Sequence, residues 1–130
     1  MTAESEIRDA LIVALRADAA LGNQVNRVHD GFPAKATPPV LIVGEVTGTD
    51  WGTKDRPGRE VRIGLTIEDD IETPARIGGI MALADGAVQS LGSPVAGWQI
   101  GSLRLVRSRL LRSNRGVWNA LLDYRIRVLG

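Results

Sequence analysis

The chain's single histidine, His29, stands directly before Asp30, and a histidine beside a carboxylate is two-thirds of a nucleophilic triad. The triad also needs a serine that the imidazole can activate. Adjacent residues on an extended segment point to opposite sides, so His29 reads as a turn or core residue. With one histidine and no cysteine, multi-histidine and thiolate metal sites cannot be assembled, and thiol catalysis is excluded. Gly52-Thr53-Lys54 has the residue types of a phosphate loop but lacks the Gly-x-x-x-x-Gly-Lys-Ser/Thr order and the helix that must follow. Glu68, Asp69, Asp70 and Glu72 crowd the end of a strand just before a helix, where free amides and the helix dipole favour negative charge. They match no calcium-loop spacing, so a structural role accounts for them and they are kept as a surface. No catalytic residue, metal ligand or cofactor site is expected, and the chain reads as a non-enzyme.

Charge is more informative than chemistry. Residues 1–98 hold nine bases and fourteen acids, net −5, while residues 99–130 hold seven arginines and one acid, Asp123, net +6. The seven are Arg104, Arg107, Arg109, Arg112, Arg115, Arg125 and Arg127. Like charges side by side on a sheet repel unless something compensates them. Nucleic-acid phosphate, the chain's own acids, or the acidic strand end of a neighbouring copy could do so. A head-to-tail contact between unlike patches closes a ring if the rotation closes. Trp51 lies in a glycine-rich loop and is either an interface anchor or folded back on its own sheet.

The elements that must carry these residues follow from periodicity. Ile7, Ala10, Leu11, Ala14 and Leu15 share one face of a helix over Ser5–Leu21, with Thr2 as N-cap and Gly22-Asn23 as stop. A short extended piece, Arg27-Val28-His29, leads into a proline-punctuated tether, Pro33 to Pro39. Val40 to Val46 reads as a well-covered strand with Gly44 a bulge position, and Glu60 to Glu68 as a half-wet strand pairing with it antiparallel. The thirteen residues between them, Thr47 to Arg59, exceed what a hairpin needs and mark a functional or disordered loop. A second helix opens at Thr73-Pro74 and closes at Leu91-Gly92-Ser93-Pro94, with Ile77, Ile80, Met81, Ala84, Val88 and Leu91 as its core stripe. Gly78, Gly79 and Gly86 weaken it, either because another backbone approaches or because that face is exposed. Trp98–Leu111 and Val117–Leu129 form a hairpin through Ser113–Gly116. In the second of these strands Trp118, Ala120, Leu122, Tyr124, Ile126 and Val128 share one face; Asn119, Asp123, Arg125 and Arg127 share the other.

The expected fold is therefore α+β, a twisted antiparallel sheet of about four strands with two helices packed on one face, in one domain spanning residues 1–130. Composition agrees: 130 residues support one core, and 44% apolar with 24% charged residues describe a chain that folds and stays soluble. The absence of cysteine reads as intracellular. The first residues carry acids where an export signal needs bases, and no apolar run approaches the ~20 residues of a membrane span, so no membrane partner is expected.

Four pieces, in order, resemble the tail-completion or tail-terminator family of long-tailed phages and gene transfer agents. They are Leu15-Arg-Ala-Asp-Ala-Ala-Leu21, Arg27-Val-His-Asp-Gly-Phe-Pro33, Pro38-Pro-Val-Leu-Ile-Val-Gly-Glu45, and Asp50-Trp-Gly-Thr-Lys54 leading into Gly58-Arg-Glu60. The resemblance spans nearly the whole chain and brings no catalytic motif and no cofactor. It implies a small α+β subunit that forms a ring with itself, expected as a hexamer, on the last ring of the tail tube protein. There it would stop tube growth, at the head-proximal end of the virion tail, after assembly in the host cytoplasm. It would offer a docking face to the head-completion or connector protein, with DNA passing through the lumen without sequence-specific binding. The expected contacts to tube or neighbouring subunit are Trp51, Thr53, Lys54, Asp55, Arg56 and Arg59 of the loop; the acids Glu68, Asp69, Asp70 and Glu72; and Arg104, Arg107, Arg109, Arg125 and Arg127 of the hairpin. The alternative is a small nucleic-acid-binding module that uses the arginine hairpin, recognisable by a steep salt dependence.

Overall fold

A computed structural model describes residues 2–130. The elements in chain order are α1 (Ala3–Ala17), α2 (Ala19–Gly22), β1 (Arg27–Asp30), β2 (Val40–Asp50), β3 (Gly58–Asp69), α3 (Ala75–Gln89), β4 (Gln99–Arg112) and β5 (Trp118–Leu129). Thr2 caps α1 by accepting from the Ser5 amide. The single helix expected over Ser5–Leu21 is instead two. Asp18 leaves the helical region at φ −75°, ψ 111°, and its carboxylate accepts from the Leu21 amide, so it ends one helix and caps the next. Among the described residues no helix is long and apolar enough to cross a membrane.

The sheet has five strands in the order β1-β2-β3-β5-β4. The short piece at Arg27 is a full sheet member, paired parallel to β2 with Arg27 opposite Val40. The sheet is therefore mixed, where four antiparallel strands were expected. The tether allows this: a parallel neighbour cannot be reached by a tight hairpin, and residues 31–39 supply the crossing. The remaining pairs are antiparallel. The thirteen-residue loop expected at Thr47–Arg59 is seven residues long, Trp51–Pro57, because β2 and β3 extend into it.

Alternation decides which face is buried. Leu41, Val43, Val61, Ile63, Leu65, Ile67, Leu122, Tyr124, Ile126 and Val128 point to one face and form the core with Ile7, Leu11 and Leu15 of α1 and Ile77, Ile80, Ala84 and Val88 of α3. Each such side chain contributes ~1.5–3 kcal/mol on burial. Tyr124 is the one polar member. Its hydroxyl donates to Asp85 Oδ1 at 2.7 Å, and burial first, then that carboxylate, push the phenol far above its usual range. Pro74, one residue later than expected, precedes α3 as its N-cap without a side-chain bond. No atom lies within 4 Å of where a Cβ would stand on Gly78, Gly79 or Gly86, so the exposed-face reading of these glycines holds and no backbone approaches.

Candidate functional site

The sheet face away from the helices carries Arg104, Arg107, Arg109, Arg125 and Arg127, and a bulge in β4 completes the group. In β4 the register slips once between Ile100 and Ser102 and again between Leu105 and Arg107. Each slip inserts one residue and reverses the faces beyond it. Strict alternation would put Arg104 on one face and Arg107 and Arg109 on the other. The bulge at Val106 turns Arg107 and Arg109 back, opposite Asp123 and Leu121, so all three share the helix-free face. Directly opposed residues share a face. The register reads Arg62–Arg125–Arg104 across β3, β5 and β4, flanked by Glu60–Arg127–Ser102 on one side and Gly64–Asp123–Arg107 on the other. Sequence alternation separates these arginines; the signal that would unite them is the one extra residue, Val106, that β4 carries against β5 between Arg104 and Arg107.

Compensation on this face is incomplete. Glu60 accepts from Arg127 Nε at 3.0 Å and lies 3.6 Å from Arg62. Arg127 above all, then Arg62 and Arg125, hold its carboxyl below the usual range. Arg104, Arg107, Arg109 and Arg125 enter none of the ion pairs among the described residues. Arg125 Nε and Ser102 Oγ are buried without a hydrogen-bond partner there, and both lie on this face.

The loop is an ordered turn. Thr53 Oγ1 accepts from the amides of Asp55 and Arg56, Gly52 N donates to Asp50 Oδ1, and Arg56 Nε donates to the Gly130 carbonyl at 3.1 Å. Trp51 folds back on its own sheet. Its ring lies 5.4 Å from the Arg127 guanidinium and covers the Gly101 bulge, where an added Cβ would stand 3.6 Å from it. It keeps 37% of its surface exposed. Lys54 and Asp55 are exposed at the tip. Arg59 turns to the other face and pairs with Glu4 at 2.8 Å, fastening the loop base to the start of α1. The Glu4 carboxyl is held low by its own helix amide and by Arg59.

The acidic group divides. Asp69 is fully buried and accepts from Arg76 Nε at 2.9 Å; this bond is the main reason its carboxyl lies below its usual range. Asp70 and Glu72 are exposed, and the Glu72 carbonyl accepts from Trp118 Nε1. Glu68 joins His29, Phe32, Val40 and Arg115 in lining an open cleft of about 780 Å³. Register places Asp69, Trp118 and Arg112 in one row, so the acids and the hairpin tip occupy the same end of one molecule. Among the described residues no group of three or more acids and histidines is arranged to hold a metal.

A profile of the tail completion protein gp17 family matches residues 9–129, nearly the whole chain. The chain belongs to that family. The same fold occurs in solved structures. A chain of the native gene transfer agent virion superposes with a TM-score of 0.77 at 20% identity, covering 100% of both chains. The gp17 protein of bacteriophage SPP1 superposes with a TM-score of 0.65 at 17% identity, covering 95% of this chain and 89% of that one. No curated protein shows significant sequence similarity to the chain. Family membership gives the protein a structural part in a phage-type tail.

Proposed function

We propose that the protein is a tail terminator. Copies close into a ring, expected as a hexamer, at the head-proximal end of the virion tail, halt polymerisation of the tube protein and give the head connector its docking face. DNA passes through the lumen without sequence-specific contact, and the protein's activity is binding geometry, with no catalysed step. The observation that carries this reading is the tail completion family match over residues 9–129; the full-length likeness to a chain of a gene transfer agent virion supports it. A cyclic ring has two unlike ends, so one end can match the tube without reproducing it, and growth stops.

The contacts proposed are the loop Trp51–Arg59 and the hairpin arginines against Glu68, Asp70 and Glu72 of an adjacent copy. Asp69 serves this contact from inside, by fixing the strand end through Arg76. Electron microscopy of particles lacking the protein tests the reading: tails of uncontrolled length detached from heads are expected, and normal, capsid-joined tails would overturn it.

A second reading, nucleic-acid binding by the arginine hairpin, draws on the row Arg62–Arg125–Arg104. Arg104→Ala with Arg125→Ala separates the two. Loss of DNA affinity with self-association intact favours the second reading, and loss of self-association first favours the terminator.

A further inference from the structure

The two edges of the sheet are unlike. β1, at one edge, has four residues, and its Val28 carbonyl is already taken by Arg16 of α1, whose Nε and Nη2 donate at 3.3 and 3.0 Å. β4, at the other edge, runs for 14 residues. From Val106 to Arg112 all seven are exposed, so the strand is bare on both faces and along its outer backbone. Among the described residues, three of the six exposed large apolar side chains, Val106, Leu110 and Leu111, lie in this stretch. A long, bare, partly apolar edge strand is a template for another strand.

Charge selects the occupant. Pairing two copies of β4 antiparallel about Ser108 would set Arg107 of each against Arg109 of the other, which repel. Pairing β4 with β1 of a copy meets the carbonyl that Arg16 holds. A strand with acids at alternate positions instead continues the sheet rows outward. Its acids would stand next to Arg104, Arg107 and Arg109 on the helix-free face, and its apolar residues next to Leu110 on the other. We infer that the outer edge of β4 accepts one extended strand from an acidic partner protein, in which carboxylates alternate with apolar side chains.

The strand takes Arg104, Arg107 and Arg109 in place of the acids of an adjacent copy, so the inference does not rest on the ring, and its test uses the full chain. The probe is a fluorescent peptide, Glu-Val-Glu-Val-Glu-Val-Glu with blocked termini, followed by anisotropy. Saturable binding is expected. It should weaken about tenfold or more when the peptide backbone is N-methylated at every second amide in one of the two alternations, because the ladder donors are removed with charge unchanged. The exposed pair Arg107→Glu with Arg109→Glu should weaken it similarly. Three results would overturn the inference: no binding; equal binding by hepta-glutamate or by both N-methylated peptides, which would mean charge attraction alone; or tighter binding of a single-stranded oligonucleotide of equal charge, which would make this face a nucleic-acid site.

Discussion

Replacing Arg104 by glutamine should make the isolated protein more stable. Arg104 stands directly opposite Arg125, with Arg62 next in the same row. Glu60, two strands away, is held low by Arg127, Arg62 and Arg125, and Arg104 makes no ion pair among the described residues, not even with Asp123 one row along on the adjacent strand. The substitution therefore removes repulsion from Arg125 and Arg62 against the attraction of one unpaired acid, Asp123, and the exposed position has little packing to lose. Two unit charges ~6 Å apart at an effective dielectric of ~40–80 repel by ~0.7–1.4 kcal/mol, and measured cross-strand pairs span ~0.2–1 kcal/mol. A gain of about 0.5–1 kcal/mol at low ionic strength is expected. In ~0.5 M salt, where the screening length falls below the separation, it should shrink to under ~0.2 kcal/mol. Urea unfolding followed by tryptophan fluorescence, in both salts and with unchanged m-value, measures it. An equal gain in both salts, or a loss at low salt, would show that repulsion across this row is not what the arginine experiences.

Asp69→Asn should destabilise the protein by about 2–3 kcal/mol, since it leaves Arg76 beside a buried amide. Because the folded carboxyl lies below its ordinary value of 3.8, the wild-type contribution is present above that value and is lost as pH falls through the folded pKa. Thermal melts from neutral to acid pH should show this slope in the wild type and a flatter one in the variant. Tyr124→Phe removes the bond to Asp85 and should cost about 1 kcal/mol. The raised phenol pKa makes its stabilising contribution intact below 10.0 and lost as pH rises beyond it, so an absorbance titration of the sole tyrosine should show ionisation only on unfolding. Gly78→Ala, open to solvent on α3, should stabilise by about 0.5–1 kcal/mol. Gly58→Ala, whose Cβ would stand 2.7 Å from the Trp51 carbonyl oxygen, should cost ~1–3 kcal/mol; chemical denaturation of the pair checks both signs.

Where one residue's spacing decides, the amino-acid order already revealed the fold. The stripe of Ile7, Leu11 and Leu15, the alternation of β3 and β5, and the Ser113–Gly116 turn all stand in the structure where periodicity puts them. It misled where a local choice depends on a distant partner. Asp18 looks like a helical residue until its carboxylate finds the Leu21 amide. β1 is too short to announce itself without β2 beside it. The site suffered most, because a bulge is a mismatch of length between two strands and neither strand records it alone. Arg107 and Arg109 join Arg104 only through the slip at Val106. Nor does spacing announce that Asp69 and Arg59 pair within the chain, with Arg76 and Glu4.

The Arg16 clamp on Val28 reaches beyond the edge it occupies. Indefinite growth by backbone pairing needs every unit to be both giver and taker, and this molecule has only one free selvedge. A stack of such units ends after a single addition, which guards a sheet-rich virion component against running into fibrils at the high local concentrations of assembly.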